Sequence, residues 1–322
     1  MKDLGKNVDP SIYKAKKNTF LREIVKNKWL YLLVLPGIIY FIVFNYLPMI
    51  GLYIAFTDYN PLAGLYGLGS KFVGLRNFNF FFTSNEWIHV TVNTLYLNTL
   101  FITTCLFMQI LLAIALNEIS GKAFKRVSQT FMFIPNFLSW TVVSVLAIAL
   151  FSTDEGLINH FLNTFGIASI NFYQNAAVWP PLLVILRMWK GVGFGTVIYL
   201  ATITGINQEM YEAAMIDGAG RLQTIWYITI PMLKKTTIML LILSVGGIFN
   251  GDFGMIYALV GDNPLLRSST DVIDTFVYRA LRLNNDIGMS SAVGLFQSVI
   301  GFIMVVSSNA IAKRMSDDSS IF

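Results

Sequence analysis

The sequence predicts an all-α membrane protein with six transmembrane helices and both termini cytoplasmic. Three observations carry this reading. Only 13% of the 322 residues are charged and 55% are hydrophobic, whereas a soluble domain carries roughly 25% charged residues. Six apolar runs each exceed the ~20 residues a helix needs to cross ~30 Å of hydrocarbon, and none alternates strictly between apolar and polar as barrel strands do. Lysine and arginine collect on alternate connections. An ordinary cytosolic enzyme could not cover its surface with so few charges.

Residues 1–28 form a cytoplasmic segment with eight Lys and Arg residues. Ile12, Phe20, Leu21, Ile24 and Val25 interleave with those charges, so the segment is either a short amphipathic helix on the membrane surface or a solvated tail. The membrane domain covers residues 29–312. Its first run, 29–57, is too long and begins too late for a signal peptide. The others span 91–117, 131–151, 179–204, 236–260 and 287–312, and residues 313–322 form a cytoplasmic tail. Pro36, Pro48 and Pro135 fall inside runs, where they should kink helices rather than end them.

Sixteen of the 23 Lys and Arg residues fall on the side that holds both termini and five on the other, with Arg187 and Lys190 inside the fourth run. Acidic residues divide almost evenly, nine against eight, with Asp252 inside the fifth. The net charge of +5 therefore sets orientation and contacts anionic lipid, and no nucleic-acid partner is needed to explain it. Cys105 is alone in an apolar run, and His89 and His160 are isolated, so neither a disulfide nor a metal site is expected.

The connection at about 205–235 is a helix, a tight turn and a helix on the cytoplasmic side. Asn207 can cap the first helix and Glu209 complements its dipole. Asp217 and Gly218 end it, with Gly218 suited to a left-handed position. The second runs from about 220 to 230, with Pro231 after it and Lys234 and Lys235 where the chain enters the membrane. Ala213, Ala214 and Gly218 to Gly220 permit close approach of another surface. Tyr211, Met215 and Ile216 are apolar anchors that should dock into a partner groove.

Glu212-Ala213-Ala214-Met215-Ile216-Asp217-Gly218-Ala219, followed by Ile228-Thr229-Ile230-Pro231, resembles the EAA loop of ABC importer permeases, with Ile230 in place of the usual Leu. Phe72-Val73-Gly74-Leu75-Arg76-Asn77-Phe78, Asn93-Thr94-Leu95 and Gly156-Leu157-Ile158-Asn159 followed by Leu162 resemble the sugar-importer branch. The runs from Thr270 to Arg279 and from Ala292 to Ser298 resemble permeases for complex oligosaccharides or polysaccharide fragments. The resemblance implies a type I ABC importer permease fold in which residues 211–218 (Tyr211, Glu212, Ala213, Ala214, Met215, Ile216, Asp217 and Gly218) form a coupling helix. It implies a non-catalytic subunit: ATP and Mg2+ belong to two separate ATPase subunits, and this chain binds no cofactor. It also implies a second homologous permease and an extracellular or periplasmic solute-binding protein. That protein would face the outer loops, which carry Asp154 and Glu155 and then Asp262, Asp271, Asp274, Asp286, Arg267, Arg279 and Arg282.

Gly64-Leu65-Tyr66-Gly67-Leu68-Gly69-Ser70-Lys71 narrowly misses a phosphate-binding loop, since a serine separates the last glycine from the lysine. Gly191, Gly193 and Gly195 read as a helix-packing stripe. Charges inside spans are expensive, so Asp252 is expected to neutralise either Arg187 or Lys190 between spans four and five. A saccharide needs aromatic faces and hydrogen-bonding edges, and the candidates are Asn136, Trp140, Trp189, Asn250, Tyr257 and Gln297, on spans three to six. Gly246, Gly247 and Gly251 flank Asn250 and leave room for a substrate or a close helix. The function expected is carbohydrate import, of an oligosaccharide. The competing readings are import of another polar solute such as a glycerol phosphate, an ion-coupled secondary transporter, which would want repeats and more intramembrane carboxylates, and a membrane-embedded enzyme, which would want paired catalytic groups.

Overall fold

The computed structural model describes residues 26–64, 67–83 and 86–315. The amphipathic reading of residues 1–28 and most of the tail at 313–322 lie outside the described residues. Among the described residues five helices are long and apolar enough to cross a membrane, and a sharply bent pair passes the same test when its two halves are taken together as one span.

The first span begins with α1 (Lys28–Phe41), widens through a π turn at Ile42–Tyr46 and tightens into a 3-10 stretch at Leu47–Phe56. Pro36 lies inside α1 without ending it. No side chain of α1 is buried, as suits a face that meets lipid or another subunit. A short ribbon follows, in which β1 (Thr57–Asp58) pairs antiparallel with β2 (Lys71–Phe72). Lys71 thus opens a strand, whereas a phosphate cradle needs a helix N-terminus. Next come α2 (Arg76–Thr83) and the second span, α3 (Glu86–Glu118).

The third span departs from expectation. It consists of α4 (Lys122–Phe133), a 3-10 turn at Ile134–Phe137 and α5 (Trp140–Phe151), with a 100° bend between the two halves. Pro135 ends α4 here, because its ring clashes with the preceding turn and it brings no N–H. Ser139 restarts the helix by accepting the Val142 amide. At 12 residues α5 is about 18 Å long, too short to cross alone. Beyond it α6 (Leu157–Thr164) covers the outer face.

The fourth span, α7 (Trp179–Thr204), keeps its expected limits. A Cβ on Gly193 would strike the Met132 carbonyl of α4, and one on Gly195 would strike the Gln109 side chain of α3. Both glycines therefore set close helix packing, whereas Gly191 has open space.

The cytoplasmic loop contains α8 (Gln208–Ile216) and α9 (Arg221–Thr224). Contrary to expectation, Pro231 does not follow a terminated helix. A π turn at Ile225–Thr229 leads directly into α10 (Ile230–Gly246), so the fifth span runs unbroken from Arg221 to Gly246. The widened turn makes room for the proline ring against the preceding carbonyls. The expected continuous span to residue 260 is also corrected. The chain unwinds at residues 247–252 and restarts as α11 (Phe253–Val260). The outer helices α12 (Arg267–Thr270) and α13 (Ile273–Asn284) then lead to the sixth span, α14 (Ile287–Met315).

Among the described residues three apolar cores hold the bundle, and two of them frame the candidate site. One joins Leu97, Phe101, Val143, Trp179, Leu183, Met255 and Ile256, and the other joins Ala113, Leu116, Tyr199, Leu200, Ile203 and Leu233. Along α3 and α7 these clusters leave a polar interval between them, and the candidate site lies there.

Candidate functional site: a polar cavity at a broken span

A cavity of about 550 Å³ opens between spans two and five. From α3 it is lined by Asn98, Phe101, Ile102, Cys105 and Gln109, from the third span by Asn136 and Trp140, and from α7 by Arg187, Lys190 and Gly191. Ser244, Gly247, Asn250 and Asp252 complete it from the fifth span. Its floor is the unwound stretch at 247–252.

An unwound backbone survives at membrane depth only if its polar groups find partners. Asn98 Nδ2 donates to the carbonyls of Ile248 and Asn250, at 2.9 Å each. Gln297 Nε2 donates to the Phe249 carbonyl at 2.8 Å, and the Gly251 amide donates to Asp274 Oδ2. Asp252 then adopts a left-handed conformation, φ +45°, which a short polar side chain tolerates. Its Oδ1 accepts the Met255 amide at 3.2 Å and caps α11.

Asp252 Oδ2 pairs with the Arg187 guanidinium, so of the two cations on α7 it is Arg187 that the carboxylate neutralises. Arg187 also lies 5.9 Å from the centroid of Phe101. Lys190, one turn along, has neutral partners only among the described residues: its Nζ donates to the Asn136 carbonyl at 3.1 Å and stands 5.3 Å from the centroid of Trp140.

Among the six saccharide candidates, Asn136, Trp140 and Asn250 line the cavity, and the other three lie outside it. Trp189 does not line it and is 42% exposed. Tyr257 stacks on Phe253 and meets Tyr278 at a tilt, with centroids 5.0 and 4.9 Å away. Gln297 braces the unwound stretch from behind. The expected placement on spans three to six thus shifts to spans two to five. Asn98, Cys105 and Gln109, spaced seven and four apart on α3, carried the signal for span two, since that spacing puts them on one helix face.

A second feature lies on the cytoplasmic side. Asn207 Oδ1 caps α8 by accepting the Glu209 amide at 3.1 Å. Gly218 takes φ +80°, and the Gly218 and Ala219 amides donate to the Met215 and Ala214 carbonyls at 3.1 and 2.9 Å. This Schellman closure ends the helix sharply. Glu212, Ala213, Asp217 and Gly218 are exposed and Ala214 is half-buried. Met215 and Ile216 are 63% and 86% exposed, so two apolar side chains stand free at the tip. Tyr211 differs from its expected role as an anchor: it is half-buried, with its hydroxyl 3.1 Å from that of Thr229, and it braces the loop against its own span.

On the outer face two arginines pair with aspartates of the same connection. The Arg279 guanidinium holds the buried Asp271 carboxylate with both of its amino groups, and Arg267 Nη2 meets Asp262 Oδ1 at 2.7 Å. Burial opposes the Arg279 charge, but the Asp271 hydrogen bond and the charges of Asp271, Asp262 and Glu86 outweigh it and raise the guanidinium above its ordinary value. Asp271 and Arg279 thus form an internal staple rather than a free contact surface.

Residues 106–317 match the family described as binding-protein-dependent transport system inner membrane component. The chain is 38% identical over 319 residues to Protein LplB of Bacillus subtilis (strain 168), covering 99% of each chain. It is 40% identical over 312 residues to the polygalacturonan/rhamnogalacturonan transport system permease protein YteP of the same organism, covering 97% of this chain and 96% of that one. It is 30% identical over 287 residues to the sn-glycerol-3-phosphate transport system permease protein UgpA of Escherichia coli O157:H7, covering 88% and 93%. A chain of a bacterial ABC transporter involved in the import of the acidic polysaccharide alginate superposes with TM-score 0.83 at 32% identity, covering 92% of this chain and 99% of that one. A chain of a bacterial alginate ABC transporter in complex with alginate pentasaccharide-bound periplasmic protein superposes with TM-score 0.82 at 32% identity, covering 92% and 98%.

Proposed function

The chain belongs to the family of binding-protein-dependent transport system inner membrane components, and from that premise we propose that it is the permease subunit of an ATP-driven importer of an oligosaccharide. The observation that carries the substrate class is the cavity at the broken fifth span. It combines aromatic rings, Trp140 and Phe101, with the amides of Asn98, Gln109, Asn136 and Asn250. A sugar ring presents C–H patches to an aromatic face and hydroxyls to amide edges. Relatives that handle alginate and polygalacturonan or rhamnogalacturonan support the same class.

The glycerol phosphate reading, supported by the UgpA relative, asks for several cations around a phosphate dianion. Arg187 is already neutralised by Asp252, which leaves Lys190 alone and favours the saccharide.

Transport needs an engine that this chain lacks. A separate pair of ATPase subunits carries ATP and Mg2+. They engage the coupling helix through Met215 and Ile216, and Glu212 and Gly218 are the positions that best match the family's loop. A second, homologous permease supplies the other half of the pathway, and a solute-binding protein delivers the sugar to the outer face.

The test is the assembled importer in proteoliposomes, with its binding protein. Oligosaccharide should stimulate ATP hydrolysis and accumulate inside, and glycerol 3-phosphate should do neither. Stimulation by glycerol 3-phosphate alone overturns the substrate class. Transport that persists without any ATPase subunit overturns the ATP-driven reading.

A further inference from the structure

Three charged side chains line the membrane cavity: Arg187, Lys190 and Asp252. Two of them cancel, since Asp252 pairs with Arg187. The cavity is therefore left with one uncompensated positive charge. Among the described residues Lys190 has no acidic partner within ion-pair distance, and it is held only by the Asn136 carbonyl and the Trp140 ring. A cation at membrane depth held by neutral groups is costly to keep, and a neutral sugar gains nothing from it that another amide would not give.

We propose that Lys190, lying against Trp140, is the group that receives a carboxylate of the saccharide, so that the importer is selective for uronate-bearing oligosaccharides. This rests on the carbohydrate reading above and narrows it. The chemistry matches in three respects. A carboxylate carries one unit of charge, which one ammonium balances. A carboxylate brings the ammonium a full opposite charge, which neither the Asn136 carbonyl nor the Trp140 ring supplies. When the ammonium leaves the ring for that carboxylate, the face of Trp140 is freed for the C–H side of the same sugar. Lysine, a compact charge on a flexible stem, suits this exchange, whereas the guanidinium of Arg187 is fixed in its pair.

The assembled importer in proteoliposomes tests this with trigalacturonate, an alginate trisaccharide and their fully methyl-esterified, neutral counterparts. Each variant's uptake is taken relative to wild type for the same sugar, so that any preference of the binding protein cancels. Lys190→Gln should lower uptake of the acidic sugars at least about tenfold, change the esters no more than about threefold, and leave assembly of the complex intact. Lys190→Arg should restore most of the acidic uptake. Equal losses for acids and esters, acidic uptake unchanged by Lys190→Gln, or wild-type uptake of the esters alone would each overturn the role of Lys190 while leaving carbohydrate import standing. Wild-type uptake of no saccharide at all would overturn both.

Discussion

Asp252 accepts the Arg187 guanidinium through one carboxylate oxygen and the Met255 amide through the other. A single side chain therefore ties span four to span five and starts the helix that follows the break. The geometry depends on the left-handed backbone at Asp252, φ +45°, which aims the carboxylate both along α11 and across to α7. A local cap, an ion pair and a backbone reversal share one residue at the floor of the cavity.

Asp252→Asn separates these roles, because asparagine also caps helices and tolerates the left-handed region but leaves Arg187 unpaired. It should assemble poorly and lose uptake about tenfold or more, as should Arg187→Met. The exchange Arg187→Asp with Asp252→Arg should recover part of both, with a coupling of ~1–3 kcal/mol in a thermal-unfolding cycle. Additive losses would show that the pair is not an energetic unit.

Helix α8 gives a cleaner separation of folding from the proposed ATPase contact. Met215 and Ile216 contribute little to the chain's own core, being 63% and 86% exposed. Met215→Asp with Ile216→Asp should leave thermal stability of the detergent-solubilised chain within a few degrees and abolish co-purification of the ATPase. Gly218 is different, because its φ of +80° costs a β-branched residue such as valine at least ~1–2 kcal/mol. Gly218→Val should lose both ATPase binding and some stability. Retained ATPase in both variants would argue against the coupling role.

Spans and orientation were legible because they rest on additive quantities, hydropathy and the lysine and arginine balance. The cytoplasmic turn was legible because Asn207 and Gly218 are local signals. The two breaks were not. Pro135 and the glycines at 246, 247 and 251 mark them, but whether proline kinks or ends a helix depends on what satisfies the freed carbonyls. Those partners come from distant helices: Lys190 for the Asn136 carbonyl beside Pro135, and Asn98 and Gln297 for the carbonyls of the break at 247–252. The saccharide candidates divided for the same reason. Trp140 and Trp189 look alike in sequence, and only packing puts one on the cavity and leaves the other off it. Several residues in the motifs that resemble sugar permeases are internal ties: Asn77 donates to the Ala55 and Thr57 carbonyls, and Asn159 joins the two ends of the outer loop.

Thr94 is such a tie. It is fully buried, donates to the Val90 carbonyl at 2.6 Å and accepts the Ile273 amide at 2.9 Å. Thr94→Val preserves shape but orphans that amide, at a cost of ~1–3 kcal/mol. The unfolding temperature of the purified permease should drop, and Thr94→Ser should hold it near wild type. Equal behaviour of valine and serine would mean that the amide finds water instead.

The glycines of α7 give the last test, because their expected effects have opposite signs. Alanine in a helix interior is favoured over glycine by roughly 0.5–1 kcal/mol when there is room. A Cβ on Gly191 would meet nothing within 4 Å, so Gly191→Ala should keep or slightly raise stability while narrowing the cavity it lines. Gly193 and Gly195 press on the Met132 backbone and the Gln109 side chain. Alanine at either should lower the unfolding temperature, and Gly193→Ala should do so more, because a carbonyl in α4 cannot step aside as an amide side chain can. Uptake by Gly191→Ala then reports on the cavity alone, and by the other two on the packing that frames it.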